Sequence, residues 1–319
     1  MESIRWHLPF SPPTIQRKLS LEMPVLSLGS CFASALAERW SLLGLPITAN
    51  PLGIQFNPMS LARQLETYSK GEIEDRQFFH EGLYKHYDTH GSLNRSSAEE
   101  HHDTLRKAVS LGKEALNNAE ILILTFGTAW VFERAENGNV VANCHKMPAH
   151  HFRRRLAEIE EMYIALKEHL AQWLSAGAGN RKIILSVSPV RHVRDGLIEN
   201  NRAKARLLEL CHRLAEESHQ THYFPAYEYL VDVLRDHRFY KPDLVHPSDQ
   251  SVQYILTEFM QAFYNEQSLE TWTKIKAWWQ LKEHRPLTTN DEKLKSHELK
   301  ISKMRTELID QYPFLKLPY

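Results

Sequence analysis

The sequence predicts an α/β protein in which a mostly parallel sheet is covered by helices on both faces. Two observations carry this. Short apolar runs of strand length recur at Val25 to Leu28, within 120–126, and at Ile183 to Val187; unbroken apolar character over so few residues marks strands buried on both sides. Between these runs lie longer stretches whose apolar residues recur with the period of a helix. Strands that alternate with helices imply crossover connections and therefore parallel pairing.

The elements follow in order. After a polar, proline-containing lead-in over 1–23, Val25 to Leu28 is a strand stopped by Gly29, and Phe32, Leu36, Trp40 and Leu43 share one face of a helix ended by Gly44. Leu45 to Ala49 is a second strand, and Asn50-Pro51 and Asn57-Pro58 punctuate the loop after it. Asn57 caps, and Pro58 opens, a helix to about Tyr68. Residues 70–95 read as an irregular polar and aromatic excursion. Ser96 or Ser97 caps a helix to about Asn118, and Glu120 to Phe126 is the clearest buried strand, ended by Gly127. A hairpin follows, Trp130 to Arg134 and Val140 to Asn143 around a turn at Asn137-Gly138. Phe152 to Trp173 is expected to be one helix, with its stripe at Phe152, Leu156, Ile159, Tyr163, Leu166 and Leu170. Ile183 to Val187 is a strand, 198–217 a helix with Ala203, Leu207, Leu210, Cys211 and Leu214 on one face, and Tyr223-Phe224 a last short strand. Residues 225–249 are loop-rich, and Ser248 caps a helix carrying Val252, Ile255, Leu256, Phe259 and Phe263. Two charged helices, about 268–282 and 291–311, flank Pro286. The expected division is a main domain over 1–266 and a helical appendage over 267–319 packed on it.

At 319 residues the chain is long enough to bury a large core. Lysine plus arginine equals aspartate plus glutamate at 39 each, so no net field favours nucleic acid or an anionic membrane surface. Three cysteines without a Cys-x-x-Cys pair argue against a disulfide framework and for a reducing compartment. Met1 to His7 carries charges in place of an apolar leader core, and the longest apolar run, near 121–132, is too short for a bilayer span. The expectation is a soluble, cytoplasmic protein, with a homodimer through the C-terminal helices as a possible assembly.

Chemistry concentrates in two places. Gly29-Ser30-Cys31 sets a hydroxyl and a thiol where a parallel strand feeds a helix, the edge of an open α/β sheet where ligands bind. Asp243-Leu-Val-His246 lies in a loop near the last strand; a carboxylate three residues before an imidazole can fix its tautomer and leave the other ring nitrogen facing a nucleophile. The bland alternative is that Asp243 and His246 only shape the turn before the helix at 248. At the first turn of a helix the Cys31 thiol would feel the positive helix end, which favours thiolate, while Ser30 is placed as the N-cap with its hydroxyl accepting from the first turn. Cys31 is therefore the first choice of nucleophile and Ser30 its rival, with Cys31 as a small buried residue the bland alternative. Lys146 and Arg191 are candidates for holding an anionic group, and His145 and His192 for bonding sugar hydroxyls. Cys144, His145, His192 and His246 offer metal-ligand chemistry but no familiar zinc spacing, so no metal and no other cofactor is expected. His90 has no assigned role, and Cys211 belongs to the core.

Gly29-Ser-Cys-Phe-Ala33, Asn50-Pro-Leu-Gly-Ile-Gln-Phe-Asn-Pro58, Phe126-Gly-Thr-Ala-Trp130, Ala142-Asn-Cys-His-Lys146, Ser188-Pro-Val-Arg-His192 and Asp243-Leu-Val-His246 together resemble the GSCFA domain family, grouped with the SGNH (GDSL-like) esterases and acyltransferases. The resemblance covers nearly the whole chain. It implies a flavodoxin-like three-layer α/β/α sandwich and an enzyme that hydrolyses or transfers an acyl group, acetyl in the first instance, on a carbohydrate or cell-envelope conjugate. In that pattern Cys31 takes the nucleophile's place, His246 is the base and Asp243 orients it. Gly53 matches a glycine whose N–H helps form the oxyanion hole. The asparagine of a Gly-x-Asn donor is replaced by Ala129, which leaves Thr128, then Asn57 or His145, as stand-ins; Asn57 as a helix cap is at least as good a reading. A non-catalytic module that binds an acylated or glycosylated ligand is the rival function, and a metal hydrolase a third.

Overall fold

In a computed structural model, which describes residues 10–284, 286–287 and 290–318, the centre is a five-stranded sheet. Its strands are β1 (Val25–Gly29), β2 (Ile47–Ala49), β5 (Ile121–Phe126), β9 (Lys182–Val187) and β10 (Thr221–Phe224), arranged β10-β9-β5-β1-β2 with every neighbouring pair parallel. The helices are α1 (Cys31–Leu42), α2 (Pro58–Lys70), α3 (Ala98–Asn118), α4 (Ile159–Ser175), α5 (Gly196–Glu216), α6 (Ala226–Glu228), α7 (Asp249–Phe263), α8 (Glu266–Glu283) and α9 (Asp291–Gln311). The sequence reading of the first nine residues lies outside the described ones.

The three inner strands, β1, β5 and β9, are buried at every position because both faces are covered. Leu26, Leu28, Leu122, Leu124, Phe126, Ile183, Leu185 and Val187 pack with α2, α3, α4 and α5. The alternate residues Val25, Ile121, Ile123 and Ile184 pack with α1, α7 and the C-terminal helices. This is a three-layer α/β/α sandwich. Trp272, Ile275 and Trp278 of α8 and Leu308 of α9 are buried in that second core, so the C-terminal helices complete one layer.

The chain leaves β1 for β2 on one side and returns to β5 on the other. The reversal puts a switch point between the carboxyl ends of β1 and β5, where open α/β sheets bind ligands.

Three segments differ from the sequence expectation. Residues 70–95 contain a regular hairpin, β3 (Gln77–His80) and β4 (Leu83–His86), turned at Glu81 and Gly82, both with positive φ as a type I′ turn requires. Phe152–Leu156 is strand β8 rather than the start of α4, and pairs with β6 (Trp130–Arg134), which also pairs with β7 (Val140–Val141). A four-residue spacing such as Phe152 to Leu156 is even, so it satisfies a strand's period as well as a helix's. The strand wins because Arg153 and Arg155 both reach Glu133 across the sheet, with Nε to carboxylate distances of 2.9 and 2.5 Å. Within the expected loop over 225–249, α6 continues into a π-helical turn, Tyr229–Leu234, whose Tyr229 and Leu230 are buried.

Candidate active site

The carboxyl end of β1 is shaped by Gly29, whose φ of +138° and close approach to β5 exclude any side chain: a Cβ there would lie 2.2 Å from the Thr125 carbonyl oxygen. Ser30 donates its N–H to that same oxygen at 3.1 Å and occupies the N-cap position of α1 with extended backbone. Its hydroxyl, however, makes no capping bond; it is buried without a partner. The expected cap is thus absent.

The group that the first-turn amides act on is the thiol: the backbone N–H groups of Cys31 and Phe32 favour its charged form. Burial pushes the thiol up from its ordinary value, while those two amides and the charge of Lys204 pull it down without prevailing. The helix end therefore acts in the expected direction, but desolvation is the larger effect. Cys31 is half-buried and lines a cavity of about 440 Å³, whereas Ser30 is sealed beneath it.

His246 lines the same cavity. Asp243 Oδ2 lies 2.7 Å from His246 Nδ1, and Oδ1 accepts from the backbone N–H groups of Val245 and His246 at 2.9 and 3.0 Å. Those bonds hold the Asp243 carboxyl down to about 2. An ionised carboxylate can only accept, so Nδ1 carries the hydrogen and Nε2 is left as the acceptor. Nε2 makes no hydrogen bond among the described residues.

The cavity runs along α1 past Ala35, Glu38, Arg39 and Leu42, and is closed by Val190, Lys241, Pro247, Asp249 and Val252. Arg39 and Lys241 both face Asp249, at 3.1 and 3.9 Å. No group of three or more histidine, cysteine or acidic side chains is arranged to hold a metal among the described residues.

The remaining candidates divide. Arg191 supports the histidine loop: its backbone N–H donates to Val245 O, its guanidinium to Leu244 O at 3.2 Å, and it stacks 4.3 Å from the Tyr240 ring centre. It is a brace for His246 rather than an anion site. His192, half-buried beyond the cavity lining, donates its backbone N–H to Asn200, and burial lowers its ring. His145 is not a substrate contact. It is buried against Phe78, its Nε2 2.8 Å from His86 O, and burial pushes it down to about 4, so it is a neutral histidine donating to that carbonyl. Lys146 is exposed beside it, outside the cavity. His90 caps a short turn by accepting from Ser92 N–H, and Cys211 is fully buried in the core.

The expected oxyanion donors also sort on geometry. Gly53 has its N–H committed to Asn50 O at 2.7 Å, and its φ of +81° together with the nearness of His90 accounts for the glycine. Thr128 accepts from Trp130 N–H and gives its own N–H to Phe56 O, which makes it a turn-former at the start of β6. Asn57 caps α2 by accepting from Ser60 N–H at 2.8 Å, and its Nδ2 makes no hydrogen bond among the described residues. Cap and donor roles are compatible in Asn57, because they use opposite ends of the amide.

Lys204 was absent from the sequence reading. It enters from α5, on the far side of the sheet from α1, is 1% exposed, and donates to Gly127 O at 2.7 Å and Ser188 O at 2.6 Å. Burial lowers its ammonium to about 7, and its interaction with Cys31 opposes that fall. The signal for it was a lysine at helical spacing with Asn200, Leu207 and Cys211, all buried on the core-facing side of α5.

A model of the GSCFA family matches residues 24–259. The match runs from the residue before β1 into α7 and includes Cys31, Lys204, Asp243 and His246. No curated protein matches the chain.

Proposed function

The chain belongs to the GSCFA family, and from that premise we propose that it is an SGNH-like esterase or acyltransferase that carries an acyl group on Cys31. The observation that carries this reading is one shared cavity, lined by Cys31 and by a histidine whose Nδ1 is fixed by Asp243 and whose Nε2 has no hydrogen bond among the described residues.

Cys31 thiolate attacks the acyl carbonyl, forming the sulfur–carbon bond while the carbonyl oxygen takes the negative charge. We assign the first-turn amides of α1 as donors to that oxygen, and Asn57, which lies outside the cavity lining, as the further amide to test. His246 takes the thiol proton at Nε2 and returns it to the leaving alkoxide as the carbon–oxygen bond breaks. Water or an alcohol, deprotonated by the same nitrogen, then attacks the thioester and frees Cys31. The small cavity with a half-apolar lining suits a short acyl group such as acetyl, borne by a polar acceptor such as a sugar.

Incubation with activated acetyl esters, followed by intact-mass measurement, tests the reading. Wild type and His246→Ala should differ in adduct turnover, and Cys31→Ala should carry no adduct. An adduct that persists in Cys31→Ala removes the thiol from the mechanism.

The committed Gly53 amide and the upward push on the Cys31 thiol favour one rival, a binding module for an acylated or glycosylated ligand. Ligand affinity indifferent to His246→Ala, together with no adduct in wild type, would decide for that rival.

A further inference from the structure

We infer that Lys204 is a positioning residue for the nucleophile: anchored on the last carbonyls of two strands, its ammonium is the counter-charge against which the Cys31 thiolate forms. This rests on the reading of Cys31 as nucleophile. Gly29 of β1 is in register with Thr125 of β5, and Phe126 of β5 with Val187 of β9. Cys31 follows the end of β1, while Lys204 spans the ends of β5 and β9 through Gly127 and Ser188. Neighbouring strands lie about 4.8 Å apart, so Cys31 and the carbonyl that anchors Lys204 at Gly127 follow adjacent strands along one sheet edge. Cys31 and Lys204 arrive there from opposite layers, α1 above and α5 below.

A fully buried lysine is costly unless its charge or its donors are used. Two of its N–H groups are used on carbonyls, and no carboxylate pairs with it among the described residues. The groups that face it are Cys31 from α1, His192 from the segment after β9, and the Tyr227 ring of α6, 5.8 Å from the ammonium. Of these, only Cys31 and Tyr227 can become anions, and a thiol ionises before a phenol. Each charge favours the other: the ammonium pulls the thiol down against its burial, and Cys31 opposes the fall of the ammonium.

Alkylation of Cys31 by iodoacetamide reads the thiolate directly and needs no substrate. It is followed by peptide mass over about pH 6 to 10, bracketing the ordinary thiol value, in a Cys144→Ser background. Lys204→Met should move the midpoint upward and slow alkylation near neutral pH by about tenfold or more, the size of a one-unit shift. Lys204→Arg, which keeps the charge, should stay close to wild type. A wild-type profile in Lys204→Met that still melts cooperatively overturns the inference; so does an Arg variant displaced as far as Met, which would reveal a purely structural lysine. Should Lys204→Met not fold, Lys204→Gln, which keeps donors for the two carbonyls, takes its place in the comparison. Failure to form an ester adduct, with the alkylation shift intact, would sink the enzymatic reading and leave the Lys204–Cys31 coupling standing.

Discussion

Asp243 and His246 form a closed unit in which one carboxylate serves both ring and backbone: Oδ2 meets Nδ1 at 2.7 Å while Oδ1 takes the N–H groups of Val245 and His246. The three-residue spacing folds the loop onto its own carboxylate, and Leu244 adopts a φ of +56° to allow it. Orientation of the imidazole is thus built locally, and Arg191 holds the loop to the end of β9.

Asp243→Asn should lower acyl turnover by about a hundredfold or more, the scale of a misplaced general base. The amide also loses the anion that fixes the tautomer. In wild type the carboxyl is held down to about 2, so its contribution is present above the ordinary carboxyl value and fades only as pH falls toward 2. The acid limb of a kcat profile between about pH 4 and 7 should therefore not shift through titration of Asp243. Steady-state kinetics with a chromogenic acetyl ester checks both statements.

Gly53→Ala should destabilise the fold. The backbone conformation alone costs about 1–2 kcal/mol for a residue with a side chain, and the new Cβ would lie 2.2 Å from His90 Cβ. Urea unfolding should show a lower midpoint, with turnover per folded molecule close to wild type because the Gly53 N–H is bound to Asn50. A normal midpoint with lost turnover would restore Gly53 to the oxyanion hole.

The three inner strands, β1, β5 and β9, were legible because both of their faces are buried and their composition says so without a partner in view. Gly29 and the Asn57 cap were legible for local reasons of conformation and side-chain reach. What escaped the sequence depends on a partner. Phe152–Leu156 looks helical until Glu133 supplies the cross-strand carboxylate for Arg153 and Arg155. Ser30 looks like a cap until its hydroxyl is seen to be buried away from the first-turn amides, with no bond to them. Lys204 belongs to the site only because α5 crosses beneath the sheet to its carboxyl edge.

His145 and His222 should make the fold acid-sensitive. Burial pushes each down to about 4 from an ordinary 6.5. The folded state thus favours the neutral rings, and between 6.5 and 4 the unfolded chain binds the protons first. Their contribution is complete above about pH 6.5 and is lost as pH falls toward 4. His145→Gln, which keeps a donor for His86 O, should flatten part of that slope and leave the share owed to His222. Urea midpoints measured across this range give the comparison.

Trp278→Ala tests whether the C-terminal helices are structural. The indole is fully buried in the core that also holds Trp40, Phe259 and Phe263. Its removal should cost about 3–5 kcal/mol, as for other large core truncations. Chains cut after 266 should then be recovered poorly folded, by loss of near-ultraviolet dichroism. A stable truncated chain would show that the layer is complete without α8 and α9.

Asn57 offers the cleanest separation of scaffold from chemistry. Its Oδ1 caps α2 through Ser60 N–H, and its Nδ2 makes no hydrogen bond among the described residues. Serine is as good a cap as asparagine but brings no amide donor to the same place. Asn57→Ser should therefore melt close to wild type while kcat falls by about a hundredfold, the usual loss for one oxyanion donor. Asn57→Ala should lose the same factor in kcat and also about 1 kcal/mol of stability from the missing cap. Equal kcat in wild type and Asn57→Ser would confine this residue to capping and leave the first-turn amides of α1 as the donors to the oxyanion.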